Sequence, residues 1–299
     1  MDATLQAFLL SWDWRPEVLV VLGLLGGTYV TGWQRLRRRR SSRNAGKGRL
    51  ALYLTGLTLL GLALLSPIDT FGSFLFIMHM IQHELLTMFV PPLVLLSNPF
   101  PVMLWGLPKR FRYGLGRLLT RQALVRRVLW GLTFLPVAWF IHVLTLWGWH
   151  QPAAYQAALR YEWVHDLEHL TFFATGLLFW WPLINPAPRL HGHIAYGWRI
   201  VYILPAAGQN TLLAALLSLT KRVLYPYYLG VPRLWGLTAL SDQALGAGIM
   251  WVTGGMMYAI TLLVLVVTWL NEEERLTQQR EARERRQGGP GGAPAPQPG

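Results

Sequence analysis

Two short stretches, HMIQH (79–83) and HDLEH (165–169), each carry a pair of histidines four residues apart. On a helix the members of such a pair stand about 40° apart and one turn along the axis, a spacing that lets two imidazoles share one metal ion. Thr87 and Met80 fall on the same arc as His79 and His83, and Glu162, His165 and His169 lie within about 60° of one another. Imidazole suits copper, zinc and iron, whereas thioether favours cuprous copper, which draws in Met78, Met80 and Met88. The chain has no cysteine. That excludes disulfides, thiolate metal sites, iron–sulfur clusters and haem attached through cysteine.

The elements that must position these residues are apolar helices. Of 299 residues, 53% are hydrophobic and 14% charged, against roughly a quarter charged in an ordinary soluble domain. Hydropathy outlines seven spans near 17–34, 49–67, 73–96, 130–147, 162–184, 197–220 and 245–270. Runs this long and apolar satisfy their backbone in lipid as helices, so the expected fold is an all-α bundle of seven transmembrane helices. Residues 1–270 form that domain, and 271–299 a charged, then Gly/Pro-rich cytoplasmic tail, largely disordered. The first span has no basic segment ahead of it and reads as a retained helix rather than a cleaved signal peptide.

Charge orients the bundle. Twenty-two of the 27 Lys/Arg residues fall in the loops after spans 1, 3 and 5 or in the tail, which places those segments in the cytoplasm and the N-terminus outside. The net charge of +13 is thereby explained as topology anchor and contact with anionic lipid, with no nucleic acid needed. The aromatic loops WGWHQPAAY and LYPYYLGVPRLWG suit the headgroup interface. With this orientation His79, His83, His142, His150, His165 and His169 gather near the outer leaflet. Polar groups at that depth call for a partner or a cavity.

Other residues have plainer readings. His150 reads as interfacial, and His191 and His193 as solvated loop residues. Asp242 reads as the N-cap of the last span, Pro91–Pro92 as a bend, and Asp166 and Glu168 as groups that hold the His165 ring. Glu84 points about 100° from His83, as a partner to an imidazole on a neighbouring helix or as an interhelical hydrogen-bond donor. No nucleophile–base constellation or phosphate-binding glycine loop is present, so no enzymatic reading arises. A copper site at His79, His83, His142, His165 and His169 and a b-type haem held by two histidines from different helices both remain open.

The stretches HMIQHELLTMFVPPLVLLSNP (79–99), HDLEHLTFFATGLLFWWPLI (165–184) and DQALGAGIMWVTGGMMY (242–258) resemble, in that order, the CtaG-like family of multi-pass bacterial membrane proteins, caa3-type cytochrome c oxidase assembly factors. The resemblance implies a non-catalytic plasma-membrane protein that matures a haem–copper oxidase, delivering or inserting copper, with oxidase subunits as partners. The family's histidine motifs fall on His79, His83, His165 and His169. Whether the site lies in one chain or between the copies of a homo-oligomer stays open.

Overall fold

A computed structural model describes residues 6, 9–39, 45–120 and 122–287; residues 40–44 of the basic loop and the Gly/Pro-rich end, 288–299, lie outside them. The first hairpin is α1 (Pro16–Arg38) and α2 (Lys47–Leu65), followed by the short α3 (Pro67–Gly72). Next comes α4 (Phe76–Glu84), which runs through a π-helical turn, Leu85–Phe89, into α5 (Val90–Leu96) and then α6 (Pro99–Gly106). The amphipathic α7 (Lys109–Leu118) and α8 (Leu124–Leu132) lead to α9 (Leu135–Trp149). Then follow α10 (Pro152–Arg160), α11 (Glu162–Ile184) and α12 (Tyr196–Leu219). The chain closes with a 3₁₀ turn, Pro226–Leu229, then α13 (Ala239–Ile249), a second π turn, Met250–Gly254, and α14 (Gly255–Gln287).

The result is an all-α membrane bundle. Among the described residues, five helices are long and apolar enough to cross a bilayer: α1, α2, α11, α12 and the continuous run Ala239–Glu284. They reach seven spans if each of two bent pairs is one span, the run Phe76–Leu96 with α6 at 67° and α8 with α9 at 70°. Seven spans were expected; one corner comes just past the expected span 73–96 and the other falls inside the expected span 130–147, and local chemistry explains both. Asn98 takes the left-handed conformation (φ 54°) just before Pro99, and Pro136 follows the α8–α9 corner. The charged segment after residue 270 continues α14 to Gln287.

Pro91–Pro92 act differently from a simple bend. Pro91 has no N–H for the carbonyl of Thr87, and its ring would crowd an ordinary α-turn there. The π turn widens the backbone ahead of the prolines, and the Trp180 indole on α11 donates to the Thr87 carbonyl at 2.9 Å. A lost intrahelical bond thus becomes a tie between the two histidine-bearing segments. Close approach helps: a Cβ on Gly176 would lie 2.9 Å from Pro91 Cγ and 3.2 Å from the Thr87 carbonyl.

On the other side α13 lies against the start of α4, and a Cβ on Gly246 would overlap the ring of the fully buried Phe76. Gly246→Ala is expected to lower stability by about 1–3 kcal/mol, as overpacking of a filled core does. Thermal unfolding of the purified variant in detergent checks this; an unchanged midpoint would mean that Phe76 yields freely.

Candidate metal centre

The start of α4 determines where its histidines sit. Asp242, on α13, is fully buried, and its carboxylate accepts from the backbone N–H of Phe76 (2.9 Å) and Ile77 (3.0 Å). Arg233 adds a 3.1 Å ion pair. Asp242 is therefore an N-cap, but of α4 rather than of its own helix, where Thr238 accepts from the N–H of Ser241. A carboxylate at these otherwise unpaired amides also complements the helix dipole.

One and two turns into α4, His79 and His83 meet α11. One ligand atom from each of His79, His83, Glu168 and His169 lies within 4.8 Å of the others, and all four residues are buried. Glu168 is fully buried at the centre, with Oε2 3.2 Å from His79 Nε2 and Oε1 3.6 Å from His83 Nε2. The ring centroids of His83 and His169 stand 5.8 Å apart, and those of His79 and His169 6.1 Å. Buried polar atoms ordinarily have partners. Here His79 Nδ1, both nitrogens of His83, His169 Nε2 and Glu168 Oε1 have none. Three imidazoles and one carboxylate with unpaired electron-donor atoms can chelate a metal ion.

His165 stands beside this group, its ring 4.0 Å from His169 and 5.3 Å from His79. It joins Asp69, on α3, and His169 in a second set whose ligand atoms also lie within 4.8 Å of one another. Gln82, between the two α4 histidines, donates to Asp69 Oδ1 at 2.5 Å and to the Ala63 carbonyl at 2.7 Å. Burial pushes the Asp69 carboxyl up to about 6, against the pull of Gln82 and Arg15.

The remaining candidates separate. His142 is buried but packs at a tilt, 4.5 Å from the Phe179 ring, outside both sets. His150 borders the site. It is buried, with its ring 6.1 Å from His83, Nδ1 donating to the Leu146 carbonyl at 2.7 Å and Nε2 without a partner. Asp166 does not hold His165: it makes a two-pronged pair with Arg15 at 2.8 and 2.7 Å, tying the start of α1 to α11. Glu84 is buried, its Oε2 has no hydrogen-bond partner, and it belongs to neither ligand set. Met80 packs in the apolar cluster with Leu60 and Phe76, and Met88 in the one with Phe179 and Trp180. His191 contacts the Thr133 hydroxyl at 2.9 Å and is half-buried rather than freely solvated.

Glu168 is the residue that the pairwise histidine reading undervalued. Its signal was present in the spacing His165, Glu168, His169, which is i, i+3, i+4 on one helix face. Within the aromatic loops, Tyr155, Tyr225 and Tyr228 are fully buried beside the site. Tyr155 stacks 5.0 Å from His79 and shares a 3.1 Å hydrogen bond with Tyr228. Tyr228 donates to the Gly72 carbonyl, and Tyr225 to the His150 carbonyl. These phenols bury their rings because each hydroxyl has a partner.

The model of a protein family described as cytochrome c oxidase caa3 assembly factor matches residues 27–272. An uncharacterized protein of Mycobacterium bovis is 28% identical over 280 residues, which is 90% of this chain and 41% of the relative. An uncharacterized protein of Mycobacterium leprae is 25% identical over 282 residues, with the same two shares of 90% and 41%. The chain thus spans less than half the length of these curated relatives. No solved structure matches it.

Proposed function

Because the chain belongs to the cytochrome c oxidase caa3 assembly factor family, we propose that its buried histidine–glutamate group takes up copper at the outer side of the membrane and passes it to a haem–copper oxidase subunit. Members of this family are multi-pass proteins of the bacterial plasma membrane that act as assembly factors, not enzymes. The observation that carries the copper reading is the convergence of His79, His83, Glu168 and His169. Among divalent first-row ions, copper binds nitrogen and oxygen donors most tightly, and the Glu168 carboxylate offsets part of the ion's charge. Without thiolates, such a site holds copper less tenaciously than a storage site would, which suits transfer.

A b-type haem fits this arrangement less well. Two axial imidazoles would have to face each other across the porphyrin, whose nitrogens fill the equatorial positions. Here a third imidazole and a carboxylate converge on the same centre, within 4.8 Å, so a bare ion is the better occupant.

The orientation belongs to the same proposal. The histidines lie at the bundle end that holds Arg15 and Asp69, and at the far end Arg35, Arg38, Lys109 and Arg112 line a groove around Trp105. A basic end facing the cytoplasm, against anionic lipid, leaves the N-terminus and the metal group outside. The oxidase would then receive copper within the membrane or at its outer face.

A deletion strain tests this reading. Cytochrome c oxidase activity should fall severalfold and recover when copper is added to the medium. Unchanged activity in the deletion would sever the link with the oxidase.

A further inference from the structure

We infer that copper reaches the buried group through a second, shallower position formed by Asp69, His165 and His169, with His169 shared between the two. This rests on the reading of the buried group as a copper site. His79, His83, Glu168 and His169 are all buried, so an ion needs a route to them. Asp69 and His165 are half-buried and line a surface cavity of about 600 Å³ with Arg15, Thr70, Ser73 and Glu162. They are the points where that cavity meets the histidine cluster.

From there the donors run inward without a gap. His165 stands 4.0 Å from His169, and His79 4.2 Å from His83, measured between ring centroids. Gln82 ties Asp69 to α4 between the two deeper histidines, which holds the carboxylate toward the cluster. At the rim, Arg15 is engaged by Asp166 and Glu17, so its charge is already matched as a cation enters.

The shared ligand makes the two positions alternatives rather than a two-ion site. An imidazole that ligates through one nitrogen serves one ion, so His169 keeps hold while Asp69 and His165 let go and His79, His83 and Glu168 take over. Exchange of a few ligands at a time avoids stripping the ion bare in a low-dielectric interior, where an unpaired charge is costly. No bond other than metal–ligand bonds changes, and no electron moves. The same steps in reverse release the ion.

The test follows uptake of Cu(II) by the full chain in detergent, through quenching of its 15 tryptophans. Asp69→Asn keeps an oxygen acceptor for Gln82 but removes the anion. It should still bind one equivalent at equilibrium, with uptake and chelator-driven release slowed roughly tenfold or more, the scale of losing one supporting ligand. His165→Gln should do the same and stands in if Asp69→Asn does not fold. In a His79→Ala/His83→Ala background, titration should find one weak equivalent at the shallow position, which disappears when Asp69→Asn is added. Wild-type uptake rates in both Asp69→Asn and His165→Gln would overturn the route while leaving the buried site standing. A wild-type chain that takes up no copper would remove both.

Discussion

Purified in detergent, loaded with copper and dialysed, the wild-type chain should retain one equivalent of copper, and a His79→Ala/His83→Ala variant none above background. The variant loses two of the three imidazoles that converge with Glu168 and keeps only His169 and the carboxylate. Losing outer-shell support alone costs roughly 10–100-fold in metal affinity, so losing two ligands must cost more than that. Any copper left at the shallow position is weak enough to dialyse away. His142→Ala provides the control, because His142 packs against Phe179 outside the group and should leave the bound equivalent in place.

Thermal unfolding gives an independent reading of the same result. A ligand that binds only the folded state stabilises it by about 2.7 kcal/mol at a hundredfold excess over its dissociation constant. Copper should therefore raise the melting temperature of the wild type and of His142→Ala but leave His79→Ala/His83→Ala nearly unmoved. Equal copper retention by the double variant and the wild type would show that the ion sits elsewhere.

The second large effect is expected at Asp242. Removing it strands two α4 amides and leaves the Arg233 guanidinium with only the Leu237 and Tyr228 carbonyls. Leaving a buried amide without a partner costs about 1–3 kcal/mol, and two are left here, against about 1 kcal/mol for an ordinary helix cap. Asp242→Ala should thus destabilise the chain far more than Thr238→Ala, which removes the cap of α13 itself. Because Asp242 holds the first turn of α4, its loss should also weaken copper binding although it touches no candidate ligand. Near-equal melting temperatures for Asp242→Ala and Thr238→Ala would refute this account.

Much of the architecture was legible in the chain. Long apolar runs have one backbone solution in lipid, so the helices at 162–184 and 197–220 fall almost where hydropathy puts them. The corner just before Pro136, inside the expected span 130–147, was harder, because hydropathy counts apolar side chains and is blind to the direction of the backbone. The pairing of His79 with His83, and of His165 with His169, was equally readable, since a helix brings residues four apart together whatever surrounds it.

What the sequence alone determined is everything set by local period and composition: membrane helices, histidine pairs one turn apart, a basic bias at alternate loops. Tertiary structure decided which faces meet. It placed Glu168 among three histidines and kept Glu84 out of that group. It lent Asp242 to a helix 165 residues away, folded Tyr155, Tyr225 and Tyr228 inward as walls, and left His142 aside. The reason is rotational: each helix can turn about its axis without altering its own pattern. Only contacts such as Trp180 with the Thr87 carbonyl, and Gly176 against Pro91, fix that rotation.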